Sequence, residues 1–139
     1  MSGLNNIALK IIGNGKGILA ADESTGTMTK RFESVNVQST PENRLLFREI
    51  LLSSSAMTDC IGGVILYDET IKQVSSKKIR ISELILSKGS LPGIKVDTGA
   101  KVLANSPSEK ITEGLDGLRE RLEEYYKMGA KFTKWRGVY

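Results

Sequence analysis

Two segments put charge inside what otherwise reads as buried strand. In Ile94-Lys95-Val96-Asp97 the side chains alternate faces, so Lys95 and Asp97 share one face while Ile94 and Val96 share the other. Further on, Lys134 and Arg136 share a face with Phe132 and Val138, opposite Trp135. The apolar partners are expected to pack under helices, which turns the charged set towards an interior. Buried cations cost several kcal/mol apiece unless they are paired, and a purely structural interior would use Val, Ile and Leu there. An ion-pair network of Asp22 and Asp97 with Lys95, Lys134 and Arg136 would satisfy the charges only in part. Three cations against two carboxylates leave a positive surplus that a bound phosphate would neutralise.

Asp22 belongs to a second chemical stretch. Gly17-Ile18-Leu19-Ala20-Ala21 reads as a short apolar strand, buried on both faces, that ends abruptly in Asp22 and Glu23. In α/β folds the carboxyl end of such a strand is where ligands bind. Ser24, Thr25 and Thr27 are candidate N-caps for a helix beginning near Met28, whose free N–H groups suit an anion. Lys30 and Arg31 follow within two turns.

The bulk numbers narrow the chemistry. The chain has no histidine, which removes His-dependent triads, proton shuttles and His zinc ligands from these 139 residues. The net charge of +4 comes from scattered cations without interleaved aromatics, so no nucleic-acid footprint is expected; small phosphorylated ligands account for it as well. Cys60 is the only cysteine and no intrachain disulfide can form; it is expected to be a small packing residue. No apolar run approaches the ~18 residues of a membrane span and no signal peptide is evident, so a cytoplasmic location is expected.

A scaffold of alternating strands and helices carries these residues. Ile7, Leu9, Ile11 and Ile12 form a short apolar helix or turn, broken by Gly13-Asn14-Gly15, that closes one end of the core. After the first strand comes a helix from about Met28 to Ser34. Ser39-Thr40-Pro41-Glu42 starts the next, which carries Leu45, Leu46, Phe47, Ile50, Leu51 and Leu52. Gly62 to Tyr67 is the second strand, with Asp68 and Glu69 as solvated loop residues and Lys72 to Arg80 as a mobile connection. Ser82 caps a helix running through Leu86, and Pro92 to Gly99 is the third strand. A Ser-, Asn- and Pro-rich loop follows. Leu115, Leu118, Leu122, Tyr125 and Tyr126 then mark one face of an ordinary amphipathic helix ended by Gly129. Phe132 to Tyr139 is the fourth strand, with Trp135 in the core.

This β-α-β-α-β-α-β order implies parallel strands. No dinucleotide glycine fingerprint or Walker motif follows the first strand, which weakens an open doubly wound sheet. A (β/α)8 barrel takes about 250 residues. The 139 residues would supply about its first four strands as one domain portion, and a chain stopping at a strand reads as a cut.

Five stretches carry a family resemblance: Gly15 to Gly26, Cys60-Ile61-Gly62-Gly63-Val64-Ile65-Leu66, Gly93-Ile94-Lys95-Val96-Asp97, Gly114-Leu115-Asp116-Gly117-Leu118, and Lys134-Trp135-Arg136. In this order they closely resemble class I fructose-1,6-bisphosphate aldolase. The resemblance implies a (β/α)8 (TIM) barrel that reversibly cleaves fructose 1,6-bisphosphate through a lysine Schiff base, without a metal or other cofactor. It implies that Asp22 orients and polarises substrate hydroxyls and that Lys134 supports the carbinolamine proton transfers. Lys95 would bind a phosphate, helped by Ser24 and Thr27, with Arg136 adding to the field. Glu23, Lys30, Arg31 and Arg44 match substrate-binding positions with less weight. Thr27 stands where many members have serine and keeps the hydroxyl. A phosphosugar substrate, no nucleic-acid or membrane partner and a homotetramer are implied too.

One departure matters. The family's Schiff-base lysine and its proton-transferring glutamates lie on later strands, and no residue here corresponds to them. These 139 residues are therefore expected to be inactive alone. The alternative is a non-catalytic half-barrel that binds phosphosugar weakly or assembles with a complementary chain, with two open sheet edges favouring self-association.

Overall fold

The computed structural model describes residues 3–139. Helix α1 (Gly3–Ile12) runs into a 3-10 turn (Gly13–Gly15) and then β1 (Gly17–Ala21). There follow α2 (Thr25–Glu33), α3 (Pro41–Ser53), α4 (Ala56–Cys60), β2 (Ile61–Leu66), α5 (Asp68–Ile71), α6 (Ile81–Ser87) and β3 (Leu91–Lys95). The chain closes with β4 (Gly99–Leu103), β5 (Ser106–Glu113), α7 (Leu118–Lys127) and β6 (Phe132–Lys134).

Four strands pair in the order β1-β2-β3-β6, every neighbour parallel. Each new strand joins the same edge, so the order never reverses as it does at the switch point of a doubly wound sheet. Helices α3 to α7 collect on one face. Leu19 and Ala21 of β1, Val64 and Leu66 of β2, and Ile94 of β3 with Val96 just beyond it pack there against Leu52, Met57, Ile71, Ile81, Ile85 and Tyr125. The opposite face belongs to Gly63, Gly93, Lys95 and Phe132, and only glycine at 93 leaves space for the Phe132 ring: a Cβ there would lie 2.4 Å from it. A parallel arc covered on one side and curved over a cleft on the other is barrel wall.

Local sequence explains most boundaries. Thr40 accepts from the Asn43 N–H and Pro41 occupies the first turn of α3, as the capping pattern requires. Ser24 caps α2, which therefore starts three residues before Met28. Gly89 and Gly129 adopt positive φ just after α6 and α7 and end them. Helix α1 closes the amino end of the strands, and its Ile11 carbonyl sits so near Gly62 that a Cβ there would be 1.9 Å away.

Several expectations change. The Ser/Asn/Pro stretch is an antiparallel hairpin, β4 with β5, turned at Ala104-Asn105 with Asn105 in the left-handed region. Its strands are exposed on both faces, so no apolar alternation announces it. Strand β1 is an outer strand, and Ile18 is half exposed rather than buried. The fourth strand pairs only through Lys134, leaving Trp135 partly exposed. Helix α6 begins at Ile81, placing Ser82 inside it, buried beside Gly129. Lys72 to Arg80 is a closed turn, with a Val74–Arg80 bridge and the Ser75 N–H donating to the Ile79 carbonyl at 2.8 Å. Cys60 is exposed at the end of α4.

The largest reversal is in α3. Arg44, Arg48 and Leu52 face inward, while Leu46 and Ile50 are 55% and 62% exposed.

Candidate active site

The strand period delivers Asp22, Tyr67, Lys95, Asp97 and Lys134 to one rim of the arc, at the carboxyl ends of β1, β2, β3 and β6. They line an open cleft of about 780 Å³ that also takes in Glu23, Ser24, Thr27, Arg31 and Arg136. Six basic and four acidic side chains line it, a formal surplus of two positive charges.

Two lysine–carboxylate pairs occupy the centre. Lys134 Nζ donates to Asp22 Oδ2 at 2.5 Å. Lys95 Nζ donates to Asp97 Oδ1 at 2.6 Å and to the Asp97 carbonyl at 2.7 Å. Burial pushes the Asp97 carboxyl up, but hydrogen bonds from Lys95 and from the backbone N–H groups of Arg136 and Gly99 outweigh it, holding it below the usual carboxylate range. At the start of α2, Ser24 Oγ accepts from the Thr27 N–H and lies 3.1 Å from the Thr27 hydroxyl, so both hydroxyls front the cleft at a helix N-terminus.

Glu23 pairs with arginines instead of a lysine. Its Oε1 accepts from Arg31 Nη1 at 2.5 Å, and its carbonyl accepts from Arg48 Nη2 at 2.6 Å. Arg48 is fully buried. Burial lowers its guanidinium pKa, opposed by Glu23 and Glu69. Glu69 is no solvated loop residue: it takes a two-pronged hydrogen bond from Arg44 at 2.5 and 2.9 Å, which holds its carboxyl low.

Of the residues singled out in the sequence, Asp22, Glu23, Ser24, Thr27, Arg31, Lys95, Lys134 and Arg136 meet in this cleft; Lys30 and Arg44 do not line it. Arg44 is instead buried against Glu69 and the Ser39 carbonyl. Sequence reasoning missed Tyr125, Arg121 and Asp68. The Tyr125 hydroxyl donates to Asp68 Oδ1 at 2.8 Å, and burial first, then this bond, raises its pKa well above the usual phenol range. Arg121 donates to the Gly114 carbonyl at 2.5 Å and the Val96 carbonyl at 3.3 Å, tying the hairpin base to β3. No local signal marks these partners, which lie 57 and 25 residues away for the Tyr125–Asp68 and Arg121–Val96 pairs.

Among the described residues no group of three or more His, Cys, Asp or Glu is placed to hold a metal ion, and no helix is long and apolar enough to cross a membrane.

A single-wound parallel arc with paired lysines and surplus positive charge at its carboxyl rim is the wall of a β/α barrel. The family model for fructose-bisphosphate aldolase class-I matches residues 3–139. The probable fructose-bisphosphate aldolase class 1 of Xylella fastidiosa is 51% identical over 135 residues, covering 97% of this chain and 40% of that protein. Fructose-bisphosphate aldolase 1 of Toxoplasma gondii is 49% identical over 131 residues, covering 94% and 36%. A crystal structure of the Plasmodium falciparum aldolase, solved with TRAP and a small-molecule inhibitor, superposes with a TM-score of 0.93 at 44% identity, over 97% of this chain and 39% of that one. The chain belongs to the class I fructose-bisphosphate aldolase family. It spans about 40% of the length of the relatives it matches, and its sheet is part of a (β/α)8 barrel.

Proposed function

We propose that this chain contributes to a fructose-bisphosphate aldolase, a lyase of glycolysis and gluconeogenesis that reversibly cleaves fructose 1,6-bisphosphate to dihydroxyacetone phosphate and glyceraldehyde 3-phosphate. The observation that carries this reading is the Asp22–Lys134 pair beside Lys95 and Arg136 in one cleft with surplus positive charge. A bisphosphorylated ketose brings the anions such a cleft lacks.

In this reading a lysine outside these 139 residues attacks the ketose carbonyl, water leaves, and the protonated imine takes up the electron pair of the breaking carbon–carbon bond. The reaction is metal-independent, because the imine is the electron sink. Lys134 holds positive charge beside the carbinolamine and lowers the pKa of the neighbouring nucleophilic lysine. Asp22, held by Lys134, accepts a substrate hydroxyl proton in a hydrogen bond. Lys95 and Arg136 bind phosphate, with the Ser24 and Thr27 hydroxyls and Arg31 at the other wall. Glu23 serves substrate binding through Arg31; Lys30 and Arg44, which do not line the cleft, take no direct part, Arg44 being neutralised by Glu69. The working assembly is a cytoplasmic homotetramer, for which the exposed Leu46 and Ile50 of α3 offer apolar contact surface.

Borohydride trapping with dihydroxyacetone phosphate tests this on the chain as its gene encodes it, with the intact mass checked. An adduct on a lysine outside residues 1–139 supports the reading. An adduct on Lys95 or Lys134 overturns the assignment of their roles, and no adduct removes the aldolase activity and leaves a phosphosugar-binding half-barrel.

A further inference from the structure

We propose that Arg48 is a standby counterion for Glu23, which frees Arg31 to leave Glu23 and bind the phosphate of a ligand in the cleft. The ligand class rests on the phosphosugar reading above; the exchange itself needs only a phosphate.

The geometry is asymmetric. Glu23 has a side chain only 15% exposed, and a different arginine stands against each of its carboxylate oxygens. Arg31, 57% exposed, holds Oε1 at 2.5 Å from the cleft side. Arg48, fully buried, stands 3.9 Å from Oε2 and is anchored by the Glu23 carbonyl at 2.6 Å and by Glu69 at 3.8 Å. Oε2 is buried and has no hydrogen-bond partner among the described residues, and neither has Arg48 Nε or Nη1. One carboxylate oxygen is therefore committed to a solvent-facing arginine. The other is aimed at a fixed one just out of hydrogen-bond range.

That arrangement has a consequence for ligand binding. A phosphate that takes over Arg31 Nη1, the nitrogen that Glu23 holds, strips Glu23 of its one close counterion. A largely buried carboxylate left alone is costly. With Arg48 in place, a shift of about 1 Å brings Oε2 into hydrogen-bond distance, so Glu23 stays neutralised while Arg31 moves. Arg44 does not compete for the role, because all three of its nitrogens are taken, Nε and Nη2 by Glu69 and Nη1 by Ser39. Arg48 touches no ligand; it is a positioning residue acting through Glu23.

The test is calorimetric titration with inorganic phosphate on the full chain as its gene encodes it, with thermal melts to confirm folding. Arg48→Met is expected to weaken phosphate binding by about threefold or more, the scale of one partly exposed ion pair. Glu23→Gln in the same chain is expected to restore it, since no carboxylate then needs a counterion. Arg48→Met is also expected to have no further effect once Arg31→Met is present. A general electrostatic effect predicts the opposite: the same loss with Glu or Gln at 23 and with Arg or Met at 31, and that result overturns the proposal. Unchanged binding in Arg48→Met, or no phosphate binding by the unaltered chain, also overturns it. If Arg48→Met does not fold, Arg48→Lys keeps the charge and loses the guanidinium fork. It should then show a partial loss that Glu23→Gln removes, and an equal loss in both backgrounds counts against the exchange. Phosphate binding with this pattern but no borohydride adduct leaves the exchange standing and sinks the aldolase reading.

Discussion

Lys134 Nζ donates to Asp22 Oδ2 at 2.5 Å although the residues are 112 positions apart, at the carboxyl ends of the two outermost strands of the sheet. Three strand spacings in a flat sheet would hold their backbones about 14 Å apart. The lysine's four-carbon arm and the curvature of the arc together close that gap, so the pair forms only when the sheet bends as a barrel wall does. It is a site bond and a measure of curvature at once.

If the proposed cleavage uses this pair, neutralising either partner should slow it. In the full chain, Lys134→Met is expected to lower kcat for fructose 1,6-bisphosphate by about 100-fold or more, the usual scale for losing a proton-transfer group. Asp22→Asn should cost a similar factor, and the double variant little beyond the worse single, as residues acting as a unit do. Steady-state kinetics on the three variants decides it; near-normal turnover of Lys134→Met would remove Lys134 from the mechanism.

Adjacent glycines in β2 should respond differently to alanine. At Gly62 the new Cβ would meet the Ile11 backbone carbonyl at 1.9 Å, whereas at Gly63 it would meet the Phe132 ring at 3.1 Å. A backbone clash displaces α1, while a ring yields by a small movement. Gly62→Ala is expected to cost about 2–3 kcal/mol and Gly63→Ala under about 1 kcal/mol. Urea denaturation gives both numbers, and similar losses would mean that α1 is not seated on β2 as described.

Acid should loosen the molecule through depressed carboxyls. The Asp97 pKa is lowered because hydrogen bonds from Lys95, Arg136 and Gly99 outweigh the opposing effect of burial, and that of Glu69 because Arg44 bonds to it. A carboxyl depressed in the folded state contributes its full stability above the unfolded pKa of about 4 and loses it as pH falls towards the folded value. Stability should therefore change little through these two groups from pH 7 to about 5 and fall steeply below about 4. In Asp97→Asn the fall below about 4 should be shallower, and an unchanged acid limb in urea melts at a series of pH values would exclude Asp97 as a contributor.

Arg121 should govern the hairpin rather than the whole fold. It ties the Gly114 and Val96 carbonyls together, where Gly114 packs against Thr98 and Asp97 so closely that a Cβ would come within 2.9 Å. In Arg121→Met, amide hydrogen exchange across residues 99–113 is expected to quicken several-fold while the protection of β2 holds. Equal loss across both regions would make Arg121 a general stabiliser instead.

Much of this was legible in sequence because it is local or periodic. The cap of α3 follows from Thr40-Pro41, and the shared face of Lys95 and Asp97 follows from strand alternation. That the strands run parallel follows from the lengths of their connections. What escaped depends on distant partners. The apolar run in α3 suggests that Leu46 and Ile50 are buried, yet a helix buries whichever stripe has something to meet. Arg44, Arg48 and Leu52 recur every four residues on one stripe, and they turn inward because Glu23 and Glu69, at the ends of two different strands, wait there.

By itself the sequence determined where the four parallel strands and the helices capped at Ser24 and Thr40 form, and that charged side chains share one face at the strands' carboxyl ends; the exposed β4–β5 hairpin left no such mark. Backbone periodicity and capping decide those matters over a few residues. The tertiary structure alone decided which charges meet: Asp22 with Lys134, Glu23 between Arg31 and Arg48, Tyr125 with Asp68. Pairing depends on sheet curvature and on which helix face lies over which strand, and both arise from packing between segments far apart in the chain.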